Sequence, residues 1–250
     1  MKIYFILVLM AVLFLGCMEE VNSPALNEPL LASIISDVPA HDDNLIFEYD
    51  TSNRLVRVED HDKDQLIEYY YSNTTPTKIL AFDTLGVLIS MDSITSFQNN
   101  KIDKVYRYFT DDNGLLKGIA INEYLYNTED QVERINFMSY SSGAINYYKT
   151  FAWLNGNITA INEYSASDHL FIENKFEYDL QKNYKRHSPY FYFDPLYTTN
   201  NNVVKFTFKD HTGLYDGICN PCLLNYQYNE QSYPIWFQYG DGPGHSINYK

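Results

Sequence analysis

The sequence predicts an all-β protein, an antiparallel meander of repeated hairpins that forms one large twisted and curled sheet. Three observations lead to this prediction. Aromatic residues are frequent, with 24 Tyr, 15 Phe and 2 Trp, and they favour the half-buried surface of a sheet. Short segments alternate between apolar and polar residues, as strands with one buried face do. Asn, Asp and Gly separate these segments, as in hairpin turns. A closed barrel and a sandwich of two sheets are the alternatives.

The chain begins with the pattern of a secretory signal. Lys2 precedes an apolar run, Ile3–Leu15, which is shorter than the roughly 20 residues that a membrane-spanning helix needs. A small residue, Gly16, then stands directly before Cys17. Residues 1–16 resemble the signal peptide of a bacterial lipoprotein. The resemblance implies that Cys17 is the lipidated first residue of the mature chain, and that the lipid attaches the protein to a membrane.

The chain after this signal divides into a tether and a single domain. We expect residues 17–43 to be a flexible tether, because they contain three prolines and no aromatic residue. Within the tether, residues 30–35 are apolar enough to form a short helix or a strand that docks on the domain. We expect residues 44–250 to form one β-repeat domain.

One pattern recurs along the predicted domain. Alternating aromatic residues are followed by a polar turn and then by alternating aliphatic residues, which is typical of β-hairpins. Tyr suits such strands because its ring is apolar and its hydroxyl can reach water or a polar partner. The aromatic segments of the copies are Phe47–Tyr49, Tyr69–Tyr71, Tyr106–Tyr108, Tyr124–Tyr126, Phe151–Trp153, Phe176–Tyr178 and Tyr226–Tyr228.

These copies resemble the Tyr-Asp (YD, Rhs-type) repeats. They are more similar still to lipid-anchored envelope proteins whose repeat domain has no known function. The resemblance covers about residues 44–240 and implies a fold and a location, but it supplies no catalytic residues. Asn53 and Gln131 stand where the repeat family has glycine, which predicts that these two turns are longer or looser.

Composition and motifs exclude several classes of function. The net charge is −14, which argues against nucleic acid as a partner, because binding phosphates requires clustered Lys and Arg. The sequence contains no phosphate-binding loop and no nucleophile elbow, and its His residues lack the spacing of metal ligands. We therefore expect no catalytic residues, no metal site and no cofactor.

Cys219 and Cys222 flank Asn220-Pro221 and could form a redox pair, half of a zinc site, a pair of free thiols or a structural disulfide. We expect the disulfide, because an exported chain meets an oxidising compartment. Only these two thiols remain if Cys17 carries lipid.

The function expected from the sequence is non-enzymatic binding of a glycan or a protein by a lipoprotein of the outer membrane, on either its surface or its periplasmic face. Trp153, Trp236 and Tyr239 are the candidate ligand-binding residues, because exposed rings can stack on sugars. A long loop within residues 180–200 is expected to cap one end of the sheet, either as a buried aromatic plug or as a binding loop. A structural or assembly role and an envelope hydrolase are the alternatives.

Overall fold

The protein is a closed antiparallel β-barrel in the computed structural model, which describes residues 28–38, 44–96, 101–185, 194–213 and 220–250. In these parts of the chain it has sixteen strands and one short 3-10 helix. The strands are β1 Leu31–Ser36, β2 Leu45–Tyr49, β3 Leu55–Asp60, β4 Gln65–Ser72, β5 Thr75–Asp83, β6 Leu88–Ser96, β7 Ile102–Thr110, β8 Leu116–Tyr126, β9 Val132–Ser139, β10 Ile145–Leu154, β11 Asn157–Ser165, β12 Leu170–Lys182, β13 Asn201–Asp210, β14 Cys222–Tyr228, β15 Pro234–Tyr239 and β16 Gly244–Tyr249. The helix, η1, is Pro195–Thr198.

The strand order confirms the predicted meander and selects the closed barrel among its possible forms. Each strand pairs with its neighbours in sequence, and β1 pairs with β16 to close the sheet. The closing pair is in antiparallel register, with Ile34 opposite Ile247 and Ser36 opposite His245. No helix in the described ranges is long and apolar enough to span a membrane.

Strand β1 lies inside the predicted tether, and this corrects the predicted boundary of the domain. It bonds to β16 on one side and to β2 on the other. Leu31 and Ile34 are only 3% and 4% exposed, so they belong to the core. The apolar segment noted at residues 30–35 is therefore a barrel strand, and the folded domain begins before residue 44. Residues 1–27 and 39–43 lie outside the described residues.

Alternation along the strands places one face of the sheet inside the barrel and the other outside. The inner face holds a core of aliphatic and aromatic side chains that reach 0% exposure at Leu55, Val58, Val105 and Ile158. This core is densest near the end of the barrel where Leu30 and Lys250 meet through a backbone hydrogen bond of 2.9 Å. We call this end, which also holds the β2–β3, β4–β5, β8–β9, β10–β11 and β14–β15 turns, the lower end.

Several turns use one five-residue design in which an Asp or Asn side chain organises the backbone. The Oδ1 atom of Asp50 accepts hydrogen bonds from the backbone N–H groups of Ser52 and Arg54, both at 2.9 Å. Asp111 and Asn127 do the same for the residues two and four places after them. Asp and Asn favour such turns because their side chains bond to the local backbone.

The turns without glycine have the same length as those with it, which corrects the prediction that they are longer or looser. The fourth residue takes a positive φ in each case: 77° for Gly114, 59° for Asn53 and 65° for Asp130. The residue that replaces glycine is therefore Asp130 rather than Gln131. Asn and Asp accept this left-handed conformation at a smaller cost than other side chains.

The repeated aromatic residues fasten the lower end of the barrel. Five of them follow a shift in strand register, where a bulge interrupts the regular ladder, and donate a hydrogen bond to a carbonyl on an earlier strand. Tyr49 donates to the Leu31 carbonyl at 2.9 Å, and Trp153 donates through Nε1 to the Val132 carbonyl at 2.8 Å. The other donors of this kind that follow a bulge are Tyr71, Tyr126 and Tyr178.

We predict that these hydroxyls contribute measurably to stability. Tyr126→Phe keeps the ring but leaves the carbonyl of Ile102, a residue that is 1% exposed, without its donor at 2.9 Å. The free energy of unfolding in urea should fall by about 1–2 kcal/mol. Tyr70→Phe is the matched control, because the Tyr70 hydroxyl bonds to Glu68 on the exposed surface, and it should change stability by less than about 0.5 kcal/mol. Equal losses in both variants would contradict this role.

We also predict that the barrel cannot close without β1. A chain that begins at residue 44 exposes the edges of both β2 and β16, and free edges promote association with other chains. Size-exclusion chromatography should show aggregates for this chain and a monomer for a chain that begins at Glu28. A monomeric shorter chain with an unchanged melting temperature would show that closure is dispensable.

Candidate functional site

The inner face carries charged residues on the wall formed by β6 to β11. Asp92 lies two residues before buried Ile94, and Arg107 lies two residues after buried Val105. Because side chains two apart in a strand share a face, both point into the barrel. The same spacing from Phe151 and Ile161 places Lys149 and Glu163 on the inner face.

Two pairs of opposite charge form on this wall, and they differ in geometry. Lys149 and Glu163 are directly opposite in register, and Nζ lies 2.8 Å from Oε1. Asp92 and Arg107 are also directly opposite, but the Asp92 Oδ1 atom lies 3.8 Å from the Arg107 Nε atom. Among the described residues, the buried Nε atom has no hydrogen-bond partner. The second pair is therefore close enough to interact electrostatically but keeps hydrogen-bonding capacity for another molecule.

Small side chains lie beside Arg107 in the row of paired inner-face residues. Ala120 is directly opposite Arg107, and Ser139 is directly opposite Ala120. Directly paired Cβ atoms are about 5 Å apart, so the two small residues continue the row of inner-face side chains for about 10 Å beyond Arg107. Side-chain exposure of 40% for Arg107 and 24% for Asp92 shows that both remain accessible. We call these four inner-face residues, Asp92, Arg107, Ala120 and Ser139, the Arg107 niche.

An aromatic pair borders the niche. Phe137 precedes Ser139 by two positions on β9 and therefore shares its face. Its ring stacks on Tyr147 with centroids 4.3 Å apart and planes inclined by 6°. The ammonium group of Lys149 lies 5.8 Å from the Phe137 ring. Donors, acceptors and ring faces thus occur together on one wall of the barrel.

The electrostatics of the niche follow from its enclosure. Burial raises the pKa of the Asp92 carboxyl, while the neighbouring Arg107 charge acts in the opposite direction. A carboxyl group that is accessible and yet has a raised pKa lies where water can enter but protein surrounds it. This direction agrees with the inward orientation that strand alternation gives Asp92 and Arg107.

The connection between β12 and β13 folds into the lower end of the barrel. Tyr184 is 7% exposed, and its ring stacks on Phe237 of β15 at 5.9 Å. Asn183 donates to the Thr199 carbonyl at 3.0 Å, which ties the two ends of the connection together. The described parts of the predicted loop at residues 180–200 thus cap the barrel from inside, although residues 180–182 still belong to β12. Residues 186–193 lie outside the described residues.

This connection also brings charge to the lumen. Burial lowers the pKa of Lys185 to about 8. Burial also raises the pKa of Asp194, and the charges of Lys149 and Glu163 act on the Asp194 carboxyl in opposite directions. The Asp194 residue itself keeps a large part of its surface exposed to solvent. The ends of the connection thus contact β15 and lie near β10 and β11.

The structure does not bring the predicted ligand-binding residues together. Trp153 is partly buried against the core near the lower end, where its Nε1 atom bonds to the Val132 carbonyl. Trp236 bonds to Asp37 and lies three positions before Tyr239 on β15, so these two rings point to opposite faces. Tyr239 is 41% exposed and lies 6.0 Å from Phe206. The three rings are therefore not one site.

The residues of the Arg107 niche were absent from the sequence-based prediction. The available signal was a charged residue two positions from a core aliphatic residue in the same strand, as in Asp92 and Ile94 or Val105 and Arg107. Charged residues are so common in this acidic chain that pairs of carboxylates in the sequence did not indicate a functional site. The neighbouring strands that form the niche become apparent only from the register.

The two remaining predictions concern the cysteines. Cys222 is the first residue of β14 and is 1% exposed. Cys17 and Cys219 lie outside the described residues, so lipidation of Cys17 and a bond between Cys219 and Cys222 stay predictions. Within the described ranges, no group of three or more His, Cys, Asp or Glu residues is arranged to hold a metal ion.

Comparisons with known proteins support the fold. No family model matches the chain, and no curated protein matches it. The solved structure of a porin-like protein from Bacteroides uniformis is similar to the barrel with a TM-score of 0.51 and 10% identity, over 92% of this chain and 98% of that one. A porin-like protein from Bacteroides vulgatus has a TM-score of 0.45 and 11% identity, over 89% and 99% of the two chains. The first likeness shows a shared barrel fold and nothing further.

Proposed function

We propose that the protein is a lipid-anchored protein of the bacterial outer membrane whose barrel binds a glycan in its lumen without catalysing a reaction. The observation that carries this proposal is the Arg107 niche. It combines an accessible donor, an accessible acceptor and neighbouring ring faces in an enclosed space, and binding sites for small molecules have this composition. Sugars suit it because their hydroxyls hydrogen-bond with charged groups and their C–H faces pack on rings.

Enclosure favours a glycan over a folded protein as the ligand. The niche lies on the inner wall, and the described ends of the β12–β13 connection pack into the lower end of the barrel. A protein interface of standard size needs about 800 Å² of accessible surface on each partner. The row of small inner-face residues beside Arg107, about 10 Å long across the paired strands, matches the length of a saccharide unit or a short chain.

The outer face supports attachment through lipid and not through the barrel wall. Ion pairs occur on outward-facing positions of widely separated strands, including Arg57–Glu59 at 3.0 Å, Lys104–Glu123 at 3.1 Å and Lys175–Glu173 at 2.7 Å. A Lys or Arg on the lipid face of a membrane barrel costs about 2–4 kcal/mol at the bilayer midplane. In addition, β2 has 5 residues, whereas a membrane-spanning strand needs about 9–11. These features fit a barrel held beside the membrane by Cys17.

We predict that Cys17 is the sole attachment to the membrane. Metabolic labelling with a palmitate analogue should mark the wild-type protein and fail to mark Cys17→Ser. After a carbonate wash, the wild type should stay in the membrane fraction, whereas the variant should be released. An unlabelled variant that resists the wash would show that the barrel itself inserts, and equal labelling of both proteins would place the lipid elsewhere.

We predict that glycan binding depends on the niche. The full chain, purified in detergent, should bind members of a glycan array, and calorimetry with a positive glycan should give a measurable affinity. Arg107→Met should weaken that affinity by about 10- to 100-fold, since a hydrogen bond to a charged group contributes about 1.5–3 kcal/mol. Arg57→Met is the control, because Arg57 lies on the outer face and pairs with Glu59. Equal effects of both substitutions, or a chain that binds no glycan, would refute the proposal.

A hydrolase is the second candidate, and one observation favours it. Burial raises the pKa of both Asp92 and Asp194 in the lumen, and a carboxyl group with a raised pKa can act as a general acid. Release of reducing sugar ends from a bound glycan, abolished by Asp92→Asn, would identify catalysis. Binding without any product would support the non-enzymatic proposal.

A further inference from the structure

The charged groups described on the β6–β11 wall and at the ends of the β12–β13 connection include three cations and three anions. Among the described residues of the wall and the β12–β13 connection, the cations are Arg107, Lys149 and Lys185 and the anions are Asp92, Glu163 and Asp194. Each cation has an anion as its neighbour: Asp92 for Arg107, Glu163 for Lys149, and Asp194 for Lys185. Among these described residues of the wall and of the ends of the connection, the two signs of charge are therefore equal in number.

The open pair presents two complementary hydrogen-bonding groups a short distance apart. A guanidinium group only donates hydrogen bonds, and an ionised carboxylate only accepts them. The Arg107 Nε atom and the Asp92 Oδ1 atom are 3.8 Å apart. A hydroxyl group both donates and accepts, so one sugar hydroxyl, or two on adjacent carbons, can accept from Arg107 and donate to Asp92. This distance is too long for a hydrogen bond between the two side chains, but it is short enough for a diol to bridge them.

An acidic sugar fits this pair less well. Its carboxylate could accept from Arg107 but would then lie within a few ångströms of the Asp92 carboxylate. Like charges repel strongly in an enclosed site, where water screens them less than on a surface. Asp92 thus opposes acidic ligands at the same position where Arg107 would attract them, and a specific site uses such repulsion to reject the wrong ligand.

We infer that the lumen binds an uncharged oligosaccharide, whose hydroxyls bridge Arg107 and Asp92, and that Asp92 discriminates against acidic sugars. This inference rests on the proposed function and specifies its ligand class. Phe137 and Tyr147, stacked at 4.3 Å beside the niche, supply the apolar surface against which the C–H face of a neutral sugar ring packs. The Lys149 ammonium near the Phe137 ring already forms an ion pair with Glu163 at 2.8 Å.

The test compares matched neutral and acidic oligosaccharides. A neutral oligosaccharide and the same compound with its primary alcohols oxidised to carboxylates are titrated into the full chain in detergent. The oxidised compound should bind the wild type at least about tenfold more weakly, which is a ratio that one buried like-charge contact can produce. The affinity for the neutral compound should change by less than about twofold when salt is raised across a tenfold range, because no net charge is neutralised on binding.

Asp92→Asn separates repulsion from shape. Asparagine keeps the size of the side chain and a hydrogen-bonding capacity but removes its charge, so the variant should bind the oxidised compound several-fold better than the wild type does. Glu59→Gln, on the outer face, is the control and should leave both affinities unchanged; circular dichroism and melting temperature report whether each variant is folded.

The outcomes distinguish the inference from the proposal beneath it. Equal or tighter binding of the oxidised compound by the wild type would overturn the inference while leaving glycan binding in place. Equally weak binding of the oxidised compound by Asp92→Asn and by the wild type would show that shape, and not charge, excludes this compound. Absence of binding for both compounds would overturn the proposed function and the inference together.

Discussion

The rest of the structure depends on the pairing of β1 with β16. This pair joins the start of the folded chain to its end and converts a row of hairpins into a barrel without edges. A hairpin alone is marginally stable, and an open sheet would leave the backbone groups of two edge strands without partners. Closure also creates an inside. Only after closure do Ile34 and Ile247 face the same core as Val105, and only then does the inner face become a separate chemical environment.

Local structure was largely predictable because each hairpin is specified by nearby residues. Alternation set the faces of the strands, and the positions of Asp50 and Asp111 set the turns through bonds to residues two and four places ahead. The aromatic repeat was recognisable for the same reason, since six of its seven copies mark a bulge at the lower end of a hairpin. What the pattern did not reveal was the function of the rings as donors. The bond from the Tyr49 hydroxyl to the Leu31 carbonyl spans 18 positions and depends on the pairing of strands that no local signal specifies.

Closure and the site were harder to predict because both depend on long-range register. The segment at residues 30–35 was visible as apolar, but its partner strand lies more than 200 positions away, as in Ser36 opposite His245. The niche likewise joins residues from β6, β7, β8 and β9. Asp92 and Arg107 are unremarkable in a chain with 32 acidic and 18 basic residues. They become a site because Ala120 and Ser139 are small and occupy the next two positions in the same row of paired residues.

The charges of the inner wall are better explained by binding than by stability. Burying an ion pair costs desolvation that its mutual attraction often fails to repay, and apolar replacements of similar volume are frequently neutral or stabilising. Asp92 and Arg107 are a poor candidate for a stabilising pair. Their 3.8 Å separation leaves the Arg107 Nε atom without a hydrogen-bond partner among the described residues. A barrel that only had to keep its shape would be more stable with aliphatic side chains at these positions. Such side chains occupy the inner face two residues along the same strands, at Ile94 and Val105. The open pair leaves hydrogen-bonding capacity unused at one place on the inner wall, and the hydroxyl-bearing ligand that we propose would use it.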